Sequence, residues 1–145
     1  MRRTLMLCAA IAALGLAASS VQTAQAAGKK YKIVMEWTEV DTTGQFIMTK
    51  HVNNLLDDLG EKNVQLELLT YGFAVNAITK ERPQTLHAKE LEEMTKRGVK
   101  VVACENAMKF FGVKKEELLP VVGTVHSAMG EIVRKHAAGW QILRP

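Results

Sequence analysis

Cysteine is scarce in this sequence: two in 145 residues, Cys8 and Cys104. No C-x-x-C, no H-x-x-x-H and no Cys/His cluster with metal-ligand spacing occurs, which argues against a zinc-ribbon or comparable metal site. A phosphate-cradling glycine loop is missing too, because Gly72, Gly98 and Gly112 stand alone as element stops. The G-x-S-x-G nucleophile elbow is also absent. Neither sign of charge forms a block. Lysines and glutamates interleave, as in Lys114-Lys115-Glu116-Glu117 and Lys89-Glu90-Leu91-Glu92-Glu93. That is a solvated mixed surface, and nucleic acid is not an expected partner. No repeat, low-complexity tract or interdomain linker interrupts the chain.

The one long apolar run is N-terminal. Arg2 and Arg3, then Leu5 to Ala18, then Ala24-Gln25-Ala26 are the three parts of a secretory signal. The run is too short for a comfortable membrane span, and small residues follow it, so cleavage after Ala26 is expected. Cys8 follows Leu7 rather than a small residue, which argues against a lipoprotein. The expected mature protein is therefore one domain, residues 27–145, periplasmic and not membrane-bound after cleavage. Its formal charge falls from +4 to about +2 when Arg2 and Arg3 leave. Cys8 leaves as well. Cys104 then has no intramolecular partner, although exported chains normally pair their cysteines. A lone thiol in an oxidising compartment is buried, paired between chains, or kept for chemistry.

Periodicity supplies the elements. Lys32–Trp37 reads as a strand, and Thr42 or Thr43 caps a helix over 44–59 with Met48, Val52, Leu55, Leu56 and Leu59 on one face. Val64–Tyr71 reads as a strand covered on both faces. A short helical stretch follows over 74–79, and Pro83 punctuates. Thr85 caps a helix to Arg97, with Ala88, Leu91 and Met94 inward. Val99–Ala103 is an apolar strand with Cys104 at its end, and Glu105–Phe111 is a helix. One helical turn over Glu116–Leu119 precedes a strand over 120–125. Ser127 caps a last helix, with Met129, Ile132 and Val133 expected inward, and Trp140–Leu143 closes the chain as a strand. Alternating strands and helices imply an α/β, three-layer domain: a mostly parallel sheet of about five strands with helices on both faces.

In such a sheet, ligands sit beyond the C-terminal strand ends. The residues there are Asp41 to Thr43, Tyr71-Gly72, Cys104 to Asn106 and His126-Ser127. Cys104 stands between a strand and the helix beginning at Glu105, where unsatisfied N–H groups and the helix dipole favour thiolate. His126 leaves another strand at the same edge and is a candidate thiolate partner, while the Glu105 carboxylate opposes ionisation if it turns toward sulfur. The competing account makes Cys104 a small buried hydrophobe. Tyr71, Asn106 and Ser127 are candidate substrate contacts. A copper(I) set of Cys104, Met108 and His126 is a weaker alternative. His51, His87 and His136 read as surface residues, and Met35, Met48, Met94, Met108 and Met129 mostly as core. Trp37 and Trp140, both in expected strands, read as core or interface.

The stretch Gly98-Val99-Lys100-Val101-Val102-Ala103-Cys104-Glu105-Asn106-Ala107-Met108 resembles the cysteine segment of DsrE/DsrF-like (YchN-like) proteins. Gly112-Val113-Lys114-Lys115-Glu116-Glu117-Leu118-Leu119-Pro120 and the tail from Glu131 to Pro145 are similar to that family as well. The resemblance implies a compact α/β domain assembling as a trimer or hexamer. It also implies sulfane sulfur carried as a persulfide on Cys104, passed between donor and acceptor proteins or small sulfur species, with no cofactor. Whether such transfer would be catalytic, as in a sulfurtransferase, or a one-for-one carriage stays open. Two positions depart from the family pattern: Tyr71 precedes Gly72 where many relatives have histidine, and His126 precedes Ser127 where many have proline. Export separates this chain from cytoplasmic tRNA thiolation and favours thiosulfate, sulfide or polysulfide. A non-enzymatic oligomeric binding module with a structural Cys104 is the alternative.

Overall fold

The computed structural model describes residues 31–38, 42–81 and 86–145. The expected export signal, Asp41, Pro83 and Thr85 lie outside these residues, as do the side chains of Thr42, Thr43 and His87.

Five strands and four helices alternate along the described chain. They are β1 (Tyr31–Trp37), α1 (Thr42–Leu59), β2 (Val64–Thr70), α2 (Leu86–Lys96), β3 (Lys100–Cys104), α3 (Glu105–Phe110), β4 (Val122–Val125), α4 (Ala128–Ala137) and β5 (Gln141–Leu143). The sheet runs β4-β3-β2-β1-β5, and every pairing is parallel. The stretch expected to be helical over 74–79 is instead a 3-10 turn over Gly72–Asn76. Gly72 is at φ 60°, a conformation that L side chains rarely adopt. The turn over 116–119 is likewise 3-10, over Lys115–Glu117.

Side chains alternate across the strands, so the sheet has two faces of different character. The first carries Ile33, Met35, Trp37, Leu66, Leu68, Val101 and Ala103, packed beneath Met48, Val52 and Leu56 of α1 and Leu91 and Met94 of α2. Met108 of α3 joins this core. Outside the hydrocarbon, Arg97 ties the end of α2 to Asn53 and Asp57 of α1 and to Glu61, at 2.8, 2.5 and 3.1 Å. These hydrogen bonds, foremost the one to Asp57, hold the guanidinium pKa above its ordinary value.

The second face is smaller and mixed. Val34, Leu69, Val102 and Cys104 form its apolar part, together with Ala128 of α4. The register sets Val34, Glu67 and Lys100 in one row and Glu36, Leu69, Val102 and Gly123 in the next. Two carboxylates thus lie on an internal sheet face, Glu67 fully buried and Glu36 nearly so. Burying such groups is costly unless they are paired, and both are. Glu67 Oε2 accepts hydrogen bonds from Lys135 Nζ (2.8 Å) and Lys100 Nζ (3.0 Å). Glu36 Oε2 accepts one from the Tyr71 hydroxyl (2.5 Å).

One expectation fails on this face. Met129 and Val133 of α4 are exposed rather than inward. Of the expected set only Ile132 packs toward the sheet, beside Ala128 and with the Lys135 ammonium on Glu67.

Candidate functional site

Cys104 ends β3, in register with Val125 of β4. The β2–β3 pairing of Thr70 with Ala103 places Tyr71 beside it across the C-terminal edge. The thiol is 5% exposed and belongs to the second-face cluster.

The helix that acts on the sulfur is not the adjoining one. Cys104 occupies the N-cap of α3 but makes no side-chain capping bond to it. The Ala128 backbone N–H, at the first position of α4, donates to Cys104 Sγ at 3.3 Å. Ser127 caps α4 as expected, its hydroxyl accepting from Gly130 N at 3.4 Å. The ten-residue α4 therefore directs the N–H of its first residue at the sulfur.

The neighbouring groups point elsewhere. The His126 side chain is 84% exposed, with Nδ1 3.8 Å from Glu105 Oε2. Its backbone carbonyl accepts from Asn106 N at 3.3 Å. Among the described residues, the hydrogen bond received by the sulfur comes from the Ala128 amide, while the His126 imidazole lies toward Glu105. The Glu105 carboxylate turns to the Thr124 hydroxyl (2.8 Å) and His126. The Ser127 hydroxyl is engaged as a cap. Asn106 is exposed beside the site.

Tyr71 packs against the cluster containing Cys104 and donates to Glu36. Burial, reinforced by that carboxylate, pushes its phenol pKa up to about 12. The phenol thus stays neutral and hydrogen-bonded through the physiological range. Arg144 Nε lies 4.0 Å from the same Glu36 oxygen.

The copper set is not assembled: Met108 packs in the first-face core, Cys104 belongs to the second-face cluster, and His126 faces solvent. Among the described residues no three His, Cys, Asp or Glu side chains gather as a metal site, and no helix is long and apolar enough to cross a membrane. His51 and His136 are exposed, as is Met129, whereas Met35, Met48, Met94 and Met108 are buried. Trp37 is fully buried, and Trp140 lies under the Lys135 ammonium, 3.9 Å from the ring centroid.

Reading the sequence missed the Ala128 amide, Glu36, Glu67 and Lys135. The backbone donor has no sequence signature. Glu67 did have one, a carboxylate within the Leu66–Leu69 run of a strand expected to be covered on both faces.

The DsrE/DsrF-like family profile matches residues 10–145. No curated protein matches the chain. Among solved structures, a protein of unknown function from Methanobacterium thermoautotrophicum is 30% identical, with TM-score 0.73, covering 80% of this chain and 100% of that one. The YchN protein of E. coli is 18% identical, with TM-score 0.63, covering 81% and 99%. A conserved protein of unknown function from Bacteroides thetaiotaomicron is also 18% identical, with TM-score 0.63 and coverage of 79% and 94%. The five-stranded parallel sheet and the sequence profile lead to one conclusion: this chain belongs to the DsrE/DsrF-like family.

Proposed function

We propose that this protein accepts sulfane sulfur on Cys104, holds it as a persulfide and delivers it to a partner. The observation that carries this reading is the Ala128 N–H aimed at Sγ from the start of α4. A donor at a helix N-terminus stabilises thiolate, which is the attacking form of cysteine, and serves a persulfide anion equally well.

In the loading step the Cys104 thiolate attacks the outer sulfur of a donor R–S–S⁻. The donor S–S bond breaks, its electron pair leaves on R–S⁻, and the Sγ–S bond forms. Delivery is the reverse: an acceptor thiolate takes the outer sulfur and Cys104 departs as thiolate. Neither step needs an external oxidant or reductant. With the thiol only 5% exposed, slender donors such as polysulfide or thiosulfate suit the site. Such species are what an exported, periplasmic member would meet.

A homo-oligomer, trimer or hexamer, is part of this reading. Phe73 and Phe110, at 62% and 82% exposure, stack against Phe111, and exposed aromatics of this kind suit an interface.

Intact-mass spectrometry after polysulfide treatment tests the proposal. Wild type should gain one sulfur atom, removable by a reductant, and Cys104→Ala should gain none. No gain in wild type, or equal gain in the variant, would overturn it.

The packing of Cys104 against Val34, Leu69, Val102 and Ala128 favours a second reading, a structural thiol in an oligomeric binding module. That reading requires the thiol to stay silent until the protein unfolds.

A further inference from the structure

We infer that Lys135 and Glu67 are positioning residues for Cys104: their buried ion pair fixes where α4 sits on the sheet and thereby holds the Ala128 amide on the sulfur. The functional consequence rests on the sulfur-carrier reading, but the positioning itself does not.

The inference follows from how little else anchors α4. Its sheet-facing side carries two apolar residues, Ala128 and Ile132, while Met129 and Val133 face away. Lys135 lies seven residues beyond Ala128 on the same side, about 10 Å along the axis. At that far end its ammonium meets Glu67 Oε2 at 2.8 Å, Glu131 Oε1 at 3.5 Å and the Trp140 ring at 3.9 Å. The Lys135 carbonyl also accepts from Trp140 N at 3.0 Å, closing the helix end onto β5.

Glu67 leaves no slack in this anchor. It is fully buried, and its other oxygen, Oε1, has no hydrogen-bond partner. Without Lys135 the carboxylate would keep Lys100, whose side chain is 64% exposed and which belongs to the sheet itself. The helix would lose its fixed point, and the 3.3 Å contact at its opposite end would lose its register. Positioning of a reactive atom is sensitive to displacements of this order.

The experiment compares Lys135→Met, Lys135→Arg and Lys100→Met by iodoacetamide alkylation of native Cys104 and by the amide resonance of Ala128. Lys135→Met should change the alkylation rate severalfold and displace the Ala128 resonance, and Lys135→Arg should restore much of both. Lys100→Met removes a charge from the same oxygen without touching the helix, and should leave both readouts near wild type. If Lys135→Met does not fold, the Glu67→Gln/Lys135→Met double variant removes both charges together, and the same displacement is expected. Wild-type rates and resonances in folded Lys135→Met, or in the double variant where the single one does not fold, would overturn the inference, as would equal effects from Lys100→Met. Neither readout involves sulfur transfer. A wild type that forms no persulfide would therefore defeat the carrier reading alone.

Discussion

Leu68 and Glu67 are neighbours on β2 and face opposite sides of one sheet. Leu68 is fully buried in a hydrocarbon core beneath two long helices. Glu67 is equally buried, but beneath one ten-residue helix and against two lysines. The first face is held by non-directional burial, which tolerates small shifts of its helices. The second is held by directional polar contacts that fix one helix at a few points. Cys104 belongs to the second. The difference suggests a division of labour in which one face supplies stability and the other sets geometry at the sulfur.

The largest expected effect breaks the first face. Leu68→Ala should cost about 2–5 kcal/mol in denaturant unfolding, the usual range for emptying a buried leucine site. The native Cys104 alkylation rate should change little in the same variant. A large rate change would show that the two faces are not separable.

Next in size is the Ser127 cap. Ser127→Ala should cost about 1 kcal/mol by the same method. It should also alter Cys104 alkylation, because it loosens the first turn of α4, where Ala128 lies. Loss of stability without any effect at the sulfur would detach the cap from the site.

A comparable effect, confined to alkaline pH, comes from Tyr71. Its folded pKa, raised to about 12, exceeds the unfolded value near 10. Neutral Tyr71 therefore adds stability that is fully present below pH 10 and is lost as pH rises through about 12. Allowing for partial exposure, the contribution is on the order of 1 kcal/mol. Wild type should lose this amount relative to Tyr71→Phe over that window, and parallel profiles would remove the assignment.

The smallest effect belongs to His126. Its ring is exposed and paired with Glu105, so His126→Ala should change stability by less than about 0.5 kcal/mol. Sulfur loading followed by mass should also be close to wild type. A severe loading defect would return the imidazole to the site.

The first face was almost fully legible in the sequence. Met48, Val52 and Leu56 recur at helical spacing, and Val101 to Ala103 is a plain apolar run. The second face was harder to read because its helix inverts the usual pattern. Met129, Ile132 and Val133 look like an inward set, yet only Ile132 packs inward, beside a lysine that the pattern assigns to solvent. A buried carboxylate on a different element decides the rotation of that helix, and helical periodicity carries no such information. Cys104 itself was legible from its place at a strand end before a helix. Which helix start would serve it was not. The adjoining α3 is nearest in sequence, but the pairing of β3 with β4 brings the start of α4 onto the sulfur instead.

The most direct test follows the Ala128 amide resonance of the native protein while polysulfide is added and the intact mass is read in parallel. The account predicts that Ala128 shifts among the most strongly of all amides, in step with a gain of one sulfur atom per chain, and that Cys104→Ala shows neither change. An unmoved Ala128 resonance with no gain of mass, or a mass gain that survives in Cys104→Ala, would contradict it.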